Sequence, residues 1–279
     1  MSYPKSFQEL YERVKSITTP LQIVAVNPSD DASEEALRMI ESNHLAAVVR
    51  VVDPQLERAA SEAVSLVRQN KGSVLMKGLI GTDVLLRAVL NKEEGLLPKG
   101  SVLTHLAVAE IPSYPKLLFF TDAAVIPYPT HEQRIEQVRY AARVCHHFGI
   151  EEPRIALIHC AEHGGKAFPF VDGYANIKQM AADGAFSRCI VDGPLDVKSS
   201  CDIKAQQQKG IQSPIAGEAD VLVLPDLEAG NVFYKTLTLF DEIKTAGTLC
   251  GTTAPVVLPS RGDEAEAKFN SILFALASI

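Results

Sequence analysis

Short, uninterrupted apolar runs alternate with amphipathic segments of helical period along most of this chain. Examples of the apolar runs are Leu21–Val26, Ala46–Val52 and Ile155–Ile158. A strand that is apolar at every position is buried on both faces, which requires a parallel sheet covered by helices on each side. The alternation therefore predicts an α/β fold in which mainly parallel sheets are flanked by helices.

The alternation is interrupted between about residues 96 and 125. Val102–Glu110 and Lys116–Thr121 are predicted strands joined only by Ile-Pro-Ser-Tyr-Pro. Because this connection is too short for a crossover helix, we expect the two strands to pair antiparallel. Prolines near Tyr128 and a capping box at Thr130 follow, and then the alternation resumes. We expect two α/β lobes with a boundary near Tyr128.

Composition narrows the class of protein. With 279 residues, 47% hydrophobic and 22% charged, the chain has the length of two ordinary domains and the balance of a globular protein. A formal charge of −7 without a basic stripe argues against nucleic acid, and the lack of a long apolar run argues against a membrane partner. Five cysteines without a C-x-x-C pair indicate reduced thiols and predict a cytoplasmic location.

A hydroxyl and a guanidinium stand side by side at Ser260 and Arg261, where the apolar run Ala254–Leu258 leads into the last helix. Helix N-termini attract anions, and the donor fork of arginine matches phosphate. One interpretation is therefore an oxyanion site. The other is structural, with Ser260 capping the helix and Arg261 paired with Asp263 or Glu264.

Polar loops follow other predicted strands, at the edge where open α/β sheets bind ligands. Lys77, beside a glycine, can reach a bound phosphate or can be a solvated loop lysine. Arg87 stands among leucines, where a ligand contact and an anchoring ion pair are both reasonable. Gly230 and Asn231, with Lys235 one turn later, form either a binding loop or a turn with an N-cap.

Several other site classes are not supported. His146-His147 and the pair His159 and His163 lack a convincing third or fourth ligand, so no metal is predicted. The chain has no G-x-S-x-G elbow, no G-x-x-x-x-G-K-[ST] loop and no G-x-G-x-x-G after the first strand. These absences argue against a serine hydrolase, a P-loop triphosphatase and an ordinary Rossmann dehydrogenase.

From about Met76 to its end, the chain resembles the phosphate acetyl/butyryl transferase family. The most specific segment is Glu228–Lys235, and the Lys-Gly-Leu form at 77–79 is more similar to the butyryl branch than to the acetyl branch. The same holds for the ending Ser-Arg-Gly-Asp-Glu-Ala-Glu. The resembling segments, which match in order and spacing, are Met76–Leu79, Leu86–Leu90, Thr121–Val125, Ile190–Leu195, Ala216–Asp226, Glu228–Lys235 and Ser260-Arg261.

The resemblance implies a reversible reaction, acyl-CoA plus phosphate giving acyl phosphate plus CoA, with short acyl groups such as butyryl favoured over acetyl. CoA and phosphate would be substrates, and no prosthetic group is implied. It further implies two lobes, as in isocitrate and isopropylmalate dehydrogenases, with the active cleft between them. The first domain would comprise residues 1–128 plus 251–279 and the second residues 129–250. A homo-oligomer is typical of such enzymes.

The resemblance also implies roles for individual residues. Ser260 and Arg261 match the catalytic Ser-Arg pair of the family, with Arg261 holding phosphate or CoA charge and Ser260 bonding the reacting centre. The supporting residues for binding would be Lys77, Arg87, Gly230, Asn231 and Lys235.

One departure from the family pattern leaves alternatives open. Acetyl-branch members carry an aspartate seven positions beyond the serine, thought to take the CoA thiol proton, where this chain has Ala267. The general base is therefore unassigned, with Asp263 and Glu266 as weak candidates. A catalytically silent protein that binds CoA or acyl phosphate and regulates a partner is one alternative. An acyl-carrier-protein phosphate acyltransferase is another, although its basic docking patch is not evident.

Overall fold

A computed structural model describes residues 4–163, 165–240 and 243–279. The strands, in chain order, are β1 (Gln22–Val26), β2 (Ala47–Val51), β3 (Val74–Lys77), β4 (Thr104–Glu110), β5 (Leu118–Thr121), β6 (Arg154–Ile158), β7 (Ile190–Leu195), β8 (Val221–Val223), β9 (Lys244–Cys250) and β10 (Val256–Val257).

The helices are numbered in the same way, and a short 3₁₀ turn covers Pro169–Val171. No helix in the described ranges is both long and apolar enough to cross a membrane. The α-helices are α1 (Phe7–Lys15), α2 (Asp31–Ser42), α3 (Leu56–Arg68), α4 (Thr82–Val89), α5 (His131–His147), α6 (Asp172–Ala182), α7 (Val197–Cys201), α8 (Ile203–Gln208), α9 (Leu227–Phe240) and α10 (Ala265–Ala277).

The chain forms two compact units. We call Ser6–Leu103 with Lys244–Ile279 the terminal unit, and Thr104–Ile243, with which residues 4 and 5 are grouped, the central unit. In the terminal unit the strand order is β2-β1-β3-β10-β9, parallel except for the β10–β9 pair. β1 is fully buried from Ile23 to Val26, as its unbroken apolar run predicts. The last helix, α10, packs against α2 and β9.

In the central unit the strand order is β4-β5-β8-β6-β7. β4 and β5 pair antiparallel, which confirms the pairing predicted from their short connection. The remaining pairs are parallel. The observed architecture is therefore the predicted mixed α/β fold with mainly parallel strands flanked by helices.

The units begin and end at other residues than the domain bounds expected above. The predicted boundary near Tyr128 relied on proline punctuation, whereas β4 and β5 belong to the central unit because β5 pairs with β8, Phe119 opposite Val221. Likewise β9 belongs to the terminal unit because it pairs with β10. The compact units thus divide at 103/104 and 243/244, and the expected domain bounds at 128/129 and 250/251 stay a prediction.

Local signals set several element ends. Thr130 and Gln133 form the predicted capping box at the start of α5. The apolar run Ala254–Leu258 yields only the two-residue strand β10. Pro255 and Pro259 stand on either side of it without an N–H to donate, so the ladder cannot extend in full.

Candidate active site

Ser260 and Arg261 lie in a turn between β10 and α10. The turn is closed twice, since Asp263 N donates to Ser260 O at 3.2 Å and Ser260 N donates to the Asp263 carboxylate at 2.7 Å. The N-cap of α10 is Glu264, which makes no side-chain cap bond. Ser260 is therefore not the cap of the last helix, and its hydroxyl and the Arg261 guanidinium are exposed.

The Arg261 guanidinium makes no hydrogen bond or ion pair with any residue in the described ranges. The structural interpretation, a pair with Asp263 or Glu264, is thus not observed. The Asp263 carboxylate instead accepts a hydrogen bond from the turn backbone, at Ser260 N. An arginine without a protein partner keeps its five donors available for an anion.

Lys77 is the last residue of β3 and is only 4% exposed. Its ammonium nitrogen donates to two carbonyl oxygens of its own loop, Gly78 O at 3.1 Å and Ile80 O at 3.4 Å. No carboxylate in the described ranges lies within ion-pair distance of it. A buried cation held only by carbonyls is costly unless an anion completes its shell.

Gly78 explains how the loop after β3 is held. A Cβ on this residue would collide with the backbone of Asn27 and Pro28, which follow β1. Leu79 N also donates to Asn27 O at 2.6 Å. The two loops therefore pack backbone to backbone, and this close approach needs a glycine.

The charges around Lys77 shift its pKa. Burial lowers the pKa of Lys77, and the nearby positive charges of Arg261 and Lys268 lower it further. The carboxylates of Asp30 and Asp263 oppose this shift only in part. Lys77 and Arg261 thus interact electrostatically within the terminal unit, as neighbouring cations.

Lys268 is a second buried lysine of the terminal unit, and unlike Lys77 it has a carboxylate partner. Its ammonium lies 2.6 Å from Asp30 Oδ1 and 3.0 Å from the Ser33 hydroxyl. Asp30 is also the N-cap of α2 and accepts from Ser33 N at 2.9 Å. Burial alone would raise the pKa of Asp30, but the hydrogen bonds from Lys268 and Ser33 outweigh it and hold the pKa at about 2.

Three other predicted residues lie on α9 in the central unit. Gly230 is buried, and a Cβ there would collide with the Asp122 carbonyl. Asn231 is exposed, and its amide donates to Ala123 O at 3.3 Å. Lys235, also exposed, places its ammonium 5.0 Å from the centre of the Tyr234 ring. Asn231 and Lys235 are four residues apart and so share a helix face.

Asp122 fixes the loop against which Gly230 packs. This carboxylate is 1% exposed and accepts from Thr104 Oγ1 at 2.7 Å and from His105 N at 3.0 Å. It also accepts from the backbone N–H groups of Ala124 and Val125, each at 2.8 Å. Such a shell satisfies a buried carboxylate and fixes the loop backbone that contacts Asn231.

Two predicted site residues are held in surface ion pairs. Arg87 pairs with Asp83 one turn earlier on α4, with 3.0 Å between Nη2 and Oδ2, which is the anchoring alternative for this residue. Glu266 pairs with Lys244 at 2.8 Å. In the part of the chain that the structure describes, no group of three or more His, Cys, Asp or Glu residues is arranged to hold a metal ion.

Sequence reasoning did not single out Asp30 and Lys268. A signal for Lys268 exists, since it is the only charged residue within Ala267–Leu276, an otherwise mostly apolar helical run. A lone charge in such a run is either buried with a partner or out of place. Nothing in the local sequence identifies that partner as Asp30, 238 positions away.

The sheet arrangement and the site place the chain among α/β proteins that present cationic side chains at the carboxyl ends of parallel strands. The sequence profile of one family, described as phosphate acetyl/butaryl transferase, matches residues 7–276. The chain belongs to this family, and it is accordingly a transferase.

Relatives and solved structures agree with this assignment. The chain is 37% identical to phosphate butyryltransferase of Clostridium acetobutylicum, over 97% of each sequence. It is 37% identical to phosphate acetyltransferase of Thermotoga maritima, over 80% of this chain and 76% of that protein. A branched-chain phosphotransacylase from Enterococcus faecalis V583 superposes with a TM-score of 0.83 at 31% identity, covering 92% of this chain and 98% of the other.

Proposed function

We propose that the chain catalyses reversible transfer of a short acyl group between CoA and phosphate, with butyryl favoured over acetyl. The observation that carries this proposal is a pair of cations, buried Lys77 and exposed Arg261, that have no carboxylate partner among the described residues. The exposed Ser260 adjoins Arg261. A phosphate or acyl phosphate dianion supplies the missing negative charge. The family of the chain supports the same reaction.

The chemistry assigns a role to each member of this group. Attack on the acyl carbon turns its carbonyl oxygen into an oxyanion. A donor aimed at that charge lowers the activation free energy by about 3 kcal/mol. Ser260 supplies such a donor, Arg261 holds the phosphate oxygens, and Lys77 holds them when it is protonated. Holding phosphate and thioester together also removes much of the entropy cost of their encounter.

The remaining proposed binding residues are Gly230, Asn231 and Lys235 on α9 and Arg87 on α4. Asn231 and Lys235 offer exposed donors on one helix face, which suits the phosphates of CoA. Arg87 would have to leave Asp83 to bind a ligand. Asp263 and Glu266 are poor general bases, because each carboxylate is already engaged.

The preference for butyryl rests on the relatives. Proteins named phosphate butyryltransferase match 97% of the chain, whereas the Thermotoga acetyltransferase matches 80% of it. The resemblance that suggests this reaction also suggests two lobes with the cleft between them and a homo-oligomer, which stay predictions. A cytoplasmic location is proposed on the same basis, and the five cysteines, all free thiols, support it.

The test is release of CoA thiol from acetyl-, butyryl- and isobutyryl-CoA, each with and without phosphate. Phosphate-dependent release that is fastest with a four-carbon thioester is the expected result. Release fastest with acetyl-CoA would refute the butyryl preference alone. Measurable CoA binding without release from any donor would refute the transferase and leave a regulatory CoA-binding protein or a different acyl donor.

A further inference from the structure

Among the residues that the structure describes, two acceptors contact the Lys77 amine, which leaves one of its positions open. Its two contacts, Gly78 O and Ile80 O, accept two N–H groups. An ammonium carries three N–H groups, and a neutral amine carries two together with a lone pair. The loop therefore satisfies the amine in both protonation states, and the third position holds either an N–H or the lone pair.

The contrast with Lys268 shows that this is not the ordinary state of a buried lysine in this unit. Lys268 has both a carboxylate and a hydroxyl, at 2.6 and 3.0 Å, and these contacts favour its charged form. Lys77 has neither in the described ranges, and its two contacts are neutral carbonyls of its own loop. Its proton is thus the one that the surroundings hold less firmly.

We propose that Lys77 carries the proton between the CoA thiol and the phosphate oxygen during acyl transfer. This inference rests on the proposed function. It assigns a proton carrier to a chain that has Ala267 in place of the aspartate of acetyl-branch members, and in which the carboxylates of Asp263 and Glu266 are already engaged. The thiolate rather than the thiol is the nucleophile, so a proton acceptor is needed when acyl phosphate is the donor.

The step balances in the direction that forms acyl-CoA. The lone pair of neutral Lys77 takes the thiol proton, and the sulfur attacks the acyl carbon, forming the C–S bond. When the tetrahedral intermediate collapses, the C–O bond to phosphate breaks and that electron pair leaves with the phosphate oxygen. The Lys77 ammonium gives its proton to this oxygen, so the products are acyl-CoA and hydrogen phosphate and the amine is neutral again.

The electrostatic surroundings agree with this role. The groups that face Lys77 are Arg261 and Asp263 in the turn before α10, Lys268 on α10 and Asp30 at the start of α2. Burial and the two cations lower the pKa of Lys77, and the two carboxylates only moderate this effect. A lysine shifted in this direction exchanges its proton nearer to neutral pH.

The first test is Lys77→Arg, which keeps a cation and N–H donors but does not release a proton in the working pH range. We expect inorganic phosphate to bind within about threefold of wild type, whereas kcat for acyl-CoA formation falls about 100-fold near pH 7. The deficit should shrink as pH rises through the ordinary thiol pKa near 8.5, because the thiolate then forms without a base. Lys209→Arg, on a surface ion pair, is the control and should show no deficit.

A second variant addresses Lys77 without the bulk of arginine. Lys77→Ala should lose activity, and added methylamine or ethylamine should restore part of it, because a free amine can exchange a proton. Guanidine, a cation that keeps its proton at this pH, should not restore activity.

Several outcomes would overturn the proposal. They are a deficit of Lys77→Arg that does not vary with pH, a loss of phosphate affinity as large as the loss of rate, and rescue of Lys77→Ala by guanidine as well as by amines. Each of these outcomes would show that Lys77 only binds phosphate through its charge and does not carry the proton. A wild-type chain that releases no CoA with phosphate would instead refute the proposed function itself.

Discussion

Lys268 Nζ lies 2.6 Å from Asp30 Oδ1 and thereby ties the last helix to the start of α2 across 238 positions of sequence. The lysine side chain is 3% exposed and the aspartate side chain 28% exposed. The same helix begins a few residues after the Ser260-Arg261 turn. The ion pair therefore fixes the position from which the proposed catalytic pair is presented.

Removing the carboxylate of this ion pair should destabilise the folded chain. Asp30→Asn leaves a buried ammonium without a counter-charge, and we expect the free energy of unfolding to fall by about 3 kcal/mol in urea denaturation. Glu152→Gln breaks the exposed pair with Arg188 and should cost less than about 1 kcal/mol. The double variant Asp30→Asn with Lys268→Met should recover part of the loss, and strict additivity would contradict a direct pair.

The same carboxylate should make stability depend on acidity. The pKa of Asp30 is about 2 in the folded chain, below its ordinary value, so its contribution is complete above the ordinary value and is lost as pH falls through about 2. Because the group is partly exposed, we expect about 1–2 kcal/mol from it between about pH 5 and pH 2. A plot of the free energy of unfolding against pH should be flatter for Asp30→Asn than for wild type over this range. Identical slopes for the two proteins would refute the assignment.

Arg261→Gln should separate chemistry from folding. The guanidinium has no protein partner in the described ranges, so the melting temperature should stay within about two degrees of wild type. Phosphate-dependent CoA release should fall about 100-fold or more, because a charged donor to the dianion is lost. Arg188→Gln, on a surface pair, serves as the control. Near wild-type turnover of Arg261→Gln would remove the central claim about the site.

Gly230→Ala tests the close approach of α9 to the Asp122 carbonyl. The added methyl has no room, so the start of α9 must shift and carry Asn231 with it. We expect a loss of about 1–3 kcal/mol in stability, together with a higher KM for the acyl-CoA. Gly262→Ala, where a Cβ meets nothing within 4 Å, is the stability control. Equal stability of the two variants would argue against the close approach.

Asp122→Asn tests the loop on the other side of that contact. Both carboxylate oxygens accept backbone N–H groups, so either orientation of an amide sets an NH₂ group against donors. The expected cost is about 2–3 kcal/mol in the free energy of unfolding. Asp226→Asn is the comparison, since Asp226 accepts Ala229 N through one oxygen, which an amide retains. A cost no greater than that of Asp226→Asn would contradict the described shell.

Much of the fold followed from sequence pattern. Unbroken apolar runs such as Leu21–Val26 identified buried parallel strands, and a five-residue connection identified the antiparallel pair β4 and β5. Pairing between strands far apart in sequence was not predictable in the same way. The partner of β5 is β8, and local propensity has no information on that choice, so the sequence could not indicate with which unit β4 and β5 pair.

For the candidate site, too, local sequence signals indicated some residues, whereas contacts between distant parts of the chain were not predictable. Motif and strand-end reasoning proposed Lys77, Ser260 and Arg261 as site residues. All three lie in the terminal unit, where the charge of Arg261 acts on Lys77. It did not find that Lys77 is buried with no carboxylate partner in the described part of the chain, or that Lys268 is paired with Asp30. The second fact depends on how helix α10 packs against α2, which is a long-range property of the folded chain.

The position of β10 between β3 and β9 has a consequence during protein synthesis. The terminal unit cannot complete its sheet until residues 244–257 have left the ribosome, and α10 must follow to cover it. The central unit, by contrast, has all of its strands within Thr104–Ile243, so they are complete by then. Strands β1 to β3 are therefore made before the central unit but reach their final partners after it, and the nascent chain must keep these apolar strands from aggregating in the meantime.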